Sequence, residues 1–167
     1  MHKQEPVSTT QEMYLKVLLQ LSETRPIGRV RDIAKELGVT PGTVSLRLSK
    51  LKERGLIEQE RYGGVLLTPV GEAIARCVVR RYETLKTLLV EVFGIEPEIA
   101  EADACRMEHA VSPTTVNRMK SLIERLRAGE SIHRDDLADW NRRVRPSCSE
   151  CEALGYCQAT QAASEQI

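Results

Sequence analysis

Two short segments with apolar residues at helical spacing, split by a glycine and a Thr-Pro pair, are followed by two short β-type runs. That order constrains this chain more than anything else in it. Ile33, Ala34 and Leu37 mark the first helix, and Gly38 ends it. Thr40 is placed to cap the second, with Pro41 at the first helical position, where its missing N–H leaves no bond unmade. Val44, Leu48 and Leu51 then recur at helical spacings until Gly55 stops the run. A strand over Leu56 to Gln59, a turn at Tyr62-Gly63-Gly64 and a strand over Val65 to Thr68 come next. Two short helices at an angle and a hairpin describe a winged helix-turn-helix.

Upstream, Thr9 or Thr10 can cap a helix carrying Met13, Val17, Leu18 and Leu21 on one face. Downstream, Pro69 opens a long helical pattern that ends near Gly94, and Pro97 opens another that runs to about His109. Ser112 and Pro113 cap and begin a third, through Val116, Met119, Leu122, Ile123 and Leu126, which Gly129 ends. With one Phe, one Trp and four Tyr, the core must be filled by Leu, Val, Ile and Ala, which favours helices. The expected fold class is mainly α: a winged helix-turn-helix over 1–71, an all-helical domain over 72–128, and a linker with a cysteine-rich tail over 129–167. No apolar run approaches the roughly 18 residues a membrane span needs, and Met1 to Thr10 is polar. The chain reads as cytoplasmic, with no membrane partner.

The formal net charge is zero, yet the charges are segregated. From Arg25 to Tyr62 nine basic residues face five acidic ones, a net of +4; from Glu91 to Ala110 six acidic residues face Arg106 alone, a net of −5. The first region suits phosphate and the second suits cations. On the second helix of the helix-turn-helix, Thr40, Thr43, Arg47 and Lys50 face outward: small hydroxyls and amides at a helix start suit phosphates, and Arg47 can reach base edges or phosphate. Arg29 and Arg31 in the basic lobe, and Arg61 and Tyr62 at the hairpin tip, complete a candidate surface for double-stranded DNA. A winged helix used for protein contacts is the alternative.

Cys105, Glu108 and His109 are three and four residues apart, so they share one face of the helix that follows Pro97. Thiolate, carboxylate and imidazole on one face make a partial site for a first-row divalent ion.

Several stretches together resemble the diphtheria toxin repressor family of metal-dependent transcription regulators. They are Thr9-Thr10-Gln11-Glu12-Met13-Tyr14-Leu15, the helix-turn-helix with Thr43-Val44-Ser45, Leu67-Thr68-Pro69-Val70-Gly71, and Ala104-Cys105-Arg106-Met107-Glu108-His109. The resemblance covers roughly residues 9 to 128. It implies that the helical domain dimerises and binds metal, that Met13, Cys105, Glu108 and His109 form the primary site, and that Fe2+ or Mn2+ is the corepressor. It also implies a mechanism: an ion joining Met13 of the DNA-reading lobe to the other three would fix the spacing of the two recognition helices in a homodimer, matching half-sites about one DNA turn apart. The family's ancillary ligands are replaced here by Tyr82, Lys86 and Glu101, so that site is expected to be absent or rebuilt. The SH3-like third domain of longer members is not expected either.

In its place stand Cys148, Cys151 and Cys157, spaced C-x2-C-x5-C. Closely spaced cysteines in a segment with few large apolar residues point to ligands. The spacing resembles that of fumarate and nitrate reduction regulators, which implies a [4Fe-4S] cluster; zinc is the alternative. A fourth ligand could be Cys105 or Cys77, or His133 for zinc.

The expected function is an iron- or manganese-responsive DNA-binding regulator, a repressor of metal-uptake genes acting on operator DNA. The alternative is a redox- or oxygen-sensing iron–sulfur transcription factor whose tail cluster is the only sensor. No P-loop, dinucleotide fingerprint, nucleophile elbow or paired-acid site is present, and an enzyme is not expected.

Overall fold

The computed structural model describes residues 6–24, 28–59 and 64–132; Arg61, Tyr62 and the three tail cysteines lie outside them. The chain divides into two compact units, Met1–Val78 and Val79–Ile167. The first contains α1 (Thr9–Thr24), β1 (Gly28–Arg29), α2 (Val30–Leu37), α3 (Pro41–Glu53), β2 (Ile57–Gln59), β3 (Gly64–Leu67) and the start of α4 (Pro69–Thr87). This is the helix-turn-helix with its wing.

Helix α1 is opened by Ser8, one residue before the expected cap. The Gln11 amide donates to Ser8 Oγ at 3.3 Å and the Ser8 amide donates to Gln11 Oε1 at 3.0 Å, a reciprocal capping box. Gly38, at φ 63°, ends α2 in the left-handed conformation. Thr40 caps α3 by accepting from the Thr43 amide at 3.3 Å, with Pro41 next. Leu15, Ile33, Val44, Leu48, Leu51 and Leu56 are fully buried, so the apolar stripes of α1, α2 and α3 meet in one core. The sheet has three strands, in the antiparallel order β1-β3-β2, with Ile57 opposite Leu67 and Gly28 opposite Val65. Strand β1 was not expected, because two residues carry no readable alternation.

The wing is fastened to the end of α3 by Thr68. Its hydroxyl donates to the Gly55 carbonyl at 2.8 Å and accepts from the Gly71 amide at 3.1 Å, capping α4 while holding the turn after α3. Its amide donates to the Leu56 carbonyl at 3.1 Å. Gly71 is needed because a Cβ there would lie 1.9 Å from the Leu56 carbonyl oxygen.

The second unit holds the rest of α4, a single π-helical turn at Leu88–Val92, α5 (Pro97–Met107) and α6 (Pro113–Arg127). Its core includes Leu85, Leu88, Ala100, Ala104, Val116 and Ile123. The long pattern expected to reach Gly94 as one helix instead widens at Leu88, where the Phe93 amide bonds back to the Leu88 carbonyl at 3.2 Å. Gly94, at φ 66°, then ends it. Ser112 caps α6 through the Thr115 amide at 3.3 Å. Glu91 takes two bonds from Arg127, at 2.9 and 2.5 Å, linking the π-turn to the end of α6. Among the described residues no helix is long and apolar enough to cross a membrane.

Substituting Gly71→Ala should lower unfolding stability by at least about 2 kcal/mol, because the backbone it meets cannot retreat. Gly42→Ala, in an open position of α3, should raise it by about 0.5–1 kcal/mol. Urea midpoints of the two variants check both signs.

Candidate functional site

Helix α3 buries Val44, Leu48 and Leu51, so the opposite side faces solvent. Thr40, Thr43, Arg47 and Lys50 are all exposed, as are Arg29 on β1 and Arg31 on α2. Arg47 and Lys50 lie to one flank. They line a groove of about 420 Å3 with Ser8, Thr10, Gln11, Tyr14 and Arg54. Burial pushes the Tyr14 phenol above its ordinary range, and the neighbouring Arg47 charge opposes that. Arg54 braces the groove by donating to Gln11 Oε1 at 2.6 Å and to the Pro6 carbonyl at 3.3 Å. Three cations against the single carboxylate of Glu53 line this groove beside the first turn of α1, a net positive surface that suits anions. Arg54 and Thr10 were not expected at this surface; the signal for Arg54 was its place at the end of α3, within reach of α1 only after folding. Ser45, Leu46 and Ser49 are also exposed on α3.

Helix α5 ends at Met107, two residues short of the expected His109, although Glu108 keeps helical dihedrals (φ −56°, ψ −28°) and its amide bonds Ala104 at 2.9 Å. Cys105 is exposed, whereas Glu108 is 1% exposed. The His109 Nε2 atom lies 3.2 Å from Glu108 Oε1. The structure thus brings Glu108 and His109 together and leaves the Cys105 thiol on the surface. Among the described residues no three His, Cys, Asp or Glu side chains are already gathered as a metal cluster. Carboxylate, imidazole and thiolate are donor types that fit a first-row divalent cation, so the chemistry of this set suits such an ion. Met13, on α1 of the first unit, is 39% exposed, and the neighbouring Glu12 is buried.

The three replaced positions bond to each other. Tyr82 Oη donates to Glu101 Oε1 at 2.8 Å, and Lys86 Nζ reaches the same oxygen at 3.2 Å. Lys86 also sits 5.8 Å from the centroid of the Tyr82 ring. The Tyr82 and Lys86 bonds hold the Glu101 carboxyl below its ordinary range, and the Glu101 bond raises the Lys86 ammonium. A protein amine already neutralises this carboxylate.

Comparison with known proteins gives the class. Residues 7–65 match the family model of the iron dependent repressor N-terminal DNA binding domain, and residues 68–134 match that of the iron dependent repressor metal binding and dimerisation domain. An uncharacterised HTH-type transcriptional regulator of Methanocaldococcus jannaschii is 32% identical over 123 residues, covering 72% of this chain and 98% of that one. The transcriptional regulator MntR of Salmonella typhimurium is 34% identical over 116 residues, 70% of this chain and 71% of that protein. Among solved structures, a manganese-dependent transcriptional repressor in complex with manganese superposes with a TM-score of 0.63 at 31% identity, covering 68% of this chain and 52% of that one. T. acidophilum IdeR gives 0.61 at 27% identity, covering 73% and 55%. The chain spans about half the length of those two solved chains.

The fold and these matches define a metal-dependent, DNA-binding transcriptional regulator and not an enzyme. The chain belongs to the iron-dependent repressor family.

Arg47→Ala should weaken DNA binding across sequences and reduce the slope of log K against log salt by about 0.9, the share of one phosphate contact. Acid should weaken the Tyr82–Glu101–Lys86 link. Because the Glu101 value is lowered on folding, its contribution is present above the ordinary carboxylate range and lost as pH falls through the lowered value. Glu101→Gln should therefore flatten the acid limb of a urea-midpoint profile taken from pH ~7 to ~3.

Proposed function

We propose that this chain is a homodimeric repressor of metal-uptake genes in the cytoplasm, activated on operator DNA by Fe2+ or Mn2+. The observation that carries it is the buried Glu108 carboxylate beside His109, at the end of a helix whose neighbourhood is acidic. Glu108, His109 and Cys105 would hold the ion, with Met13 as a thioether donor by the family resemblance. Bound there, a divalent ion supplies a fixed cross-link of positive charge. The chain's own residues do the rest: the Glu108 carboxylate and the His109 imidazole present lone pairs, and Thr40, Thr43, Arg47 and Lys50 meet phosphates and base edges. Arg29, Arg31, Arg61 and Tyr62 extend that contact along the duplex. Exposed Phe93 and Ile99 in the second unit supply apolar surface for a second copy. The family described as metal binding and dimerising, and the relative solved with manganese, support the same reading.

For the tail, the spacing of Cys148, Cys151 and Cys157 supports a [4Fe-4S] cluster, with zinc as the alternative. A visible spectrum and metal analysis of protein purified without oxygen separate the two: brown with sulfide means a cluster, colourless with zinc means a zinc site.

Fluorescence anisotropy on duplex from the chain's own upstream region, with and without Mn2+ or anaerobic Fe2+, tests the switch. Metal should tighten binding by at least about tenfold, and Glu108→Ala should remove that gain. Equal affinity with and without metal contradicts it. A Glu108→Ala protein that still responds to oxygen transfers the sensing to the tail.

A further inference from the structure

The outward face of α3 carries a large apolar side chain that the fold does not use. Leu46 is 61% exposed, on the side opposite Val44, Leu48 and Leu51. Its polar neighbours are turned inward upon the helix. Ser45 Oγ donates to the Pro41 carbonyl at 3.0 Å, Ser49 Oγ to the Ser45 carbonyl at 3.1 Å, and the Thr43 hydroxyl lies 3.0 Å from that of Thr40. The Ser45 and Ser49 hydroxyl protons are thus spent on the helix itself, leaving those two side chains only as acceptors, and the cations Arg47 and Lys50 line the groove beside α1, where they suit phosphates.

We propose that Leu46 is a specificity-determining residue that reads the C5-methyl of a thymine in the major groove. This rests on the DNA-binding reading above. The occupant follows from charge and shape: α3 carries Arg47, Lys50 and Lys52 against the single acid Glu53, so its partner is an anion. The one strongly apolar feature a duplex shows in its major groove is the thymine methyl. Gly42, close to the same face, presents no side chain that would hold the helix away. Leu46 thus discriminates thymine from cytosine and uracil without a hydrogen bond.

The full chain and its Leu46→Ala variant, each with Mn2+, are used to enrich duplexes from a randomised pool, and each thymine of the wild-type consensus is then replaced by uracil. Wild type should lose about fourfold in affinity at one thymine per half-site, the worth of burying one methyl group. Leu46→Ala should be indifferent to that replacement, while its salt slope stays at the wild-type value. Equal loss in both proteins, or loss in neither, overturns the assignment while leaving the regulator reading intact. Unchanged selection with a changed sedimentation coefficient makes Leu46 a contact between protein chains, which also overturns it. No enrichment by the wild type with metal present ends both readings.

Discussion

The Thr68 hydroxyl is the point on which the DNA-reading unit turns. It donates to the Gly55 carbonyl just past α3 and accepts the Gly71 amide at the start of α4, so the recognition helix, the wing and the long helix meet at one side chain. The Gly71 contact with Leu56 leaves no room for a side chain, which fixes how closely α4 begins against the turn. Helix α4 runs on from that junction into the second unit. The Leu-Thr-Pro-Val-Gly stretch is therefore explained by geometry: a cap, a first-turn proline and a glycine at a close approach.

The charges of the second unit fall into two arrangements with different outcomes. Glu101 is exposed and answered by protein groups, a phenol and an ammonium on α4. Glu108 is withdrawn from water beside an imidazole, on a segment whose formal charge is strongly negative. The first arrangement leaves little for a metal to neutralise; the second sets a carboxylate beside an imidazole, donor types that suit a first-row divalent ion under the proposed function. One chain thus keeps one carboxylate at the surface, paired with a lysine and a tyrosine, and withdraws another from water beside a histidine.

Much of the fold was legible because its punctuation is chemical. Gly38, Thr40-Pro41, Ser112-Pro113 and Gly94 stand where caps and stops are required, and each is seen in that role. Strand β1 was not legible, since two residues have no period, and the π-turn at Leu88 was hidden because an apolar run fits α and π windings alike. In the candidate site the pattern told which residues share a helix, not how deeply each sits. Cys105 and Glu108 are three positions apart, yet one is exposed and the other buried, a difference set by packing. The bonds joining Tyr82, Lys86 and Glu101 required two helices to be placed. Leu46 was passed over because an apolar residue reads as core until its neighbours are seen to fill the buried face.

The proposed metal switch needs one divalent-cation site per chain, built on Glu108. Titration of the full-length protein with Mn2+, followed by the electron paramagnetic resonance signal of free ion, tests this most directly, since manganese disfavours the thiolates of the tail. The expected result is one tightly held ion per chain, lost in Glu108→Ala and retained in Glu101→Gln. Retention of the ion by the Glu108→Ala protein, or its loss on Glu101→Gln, would contradict the account.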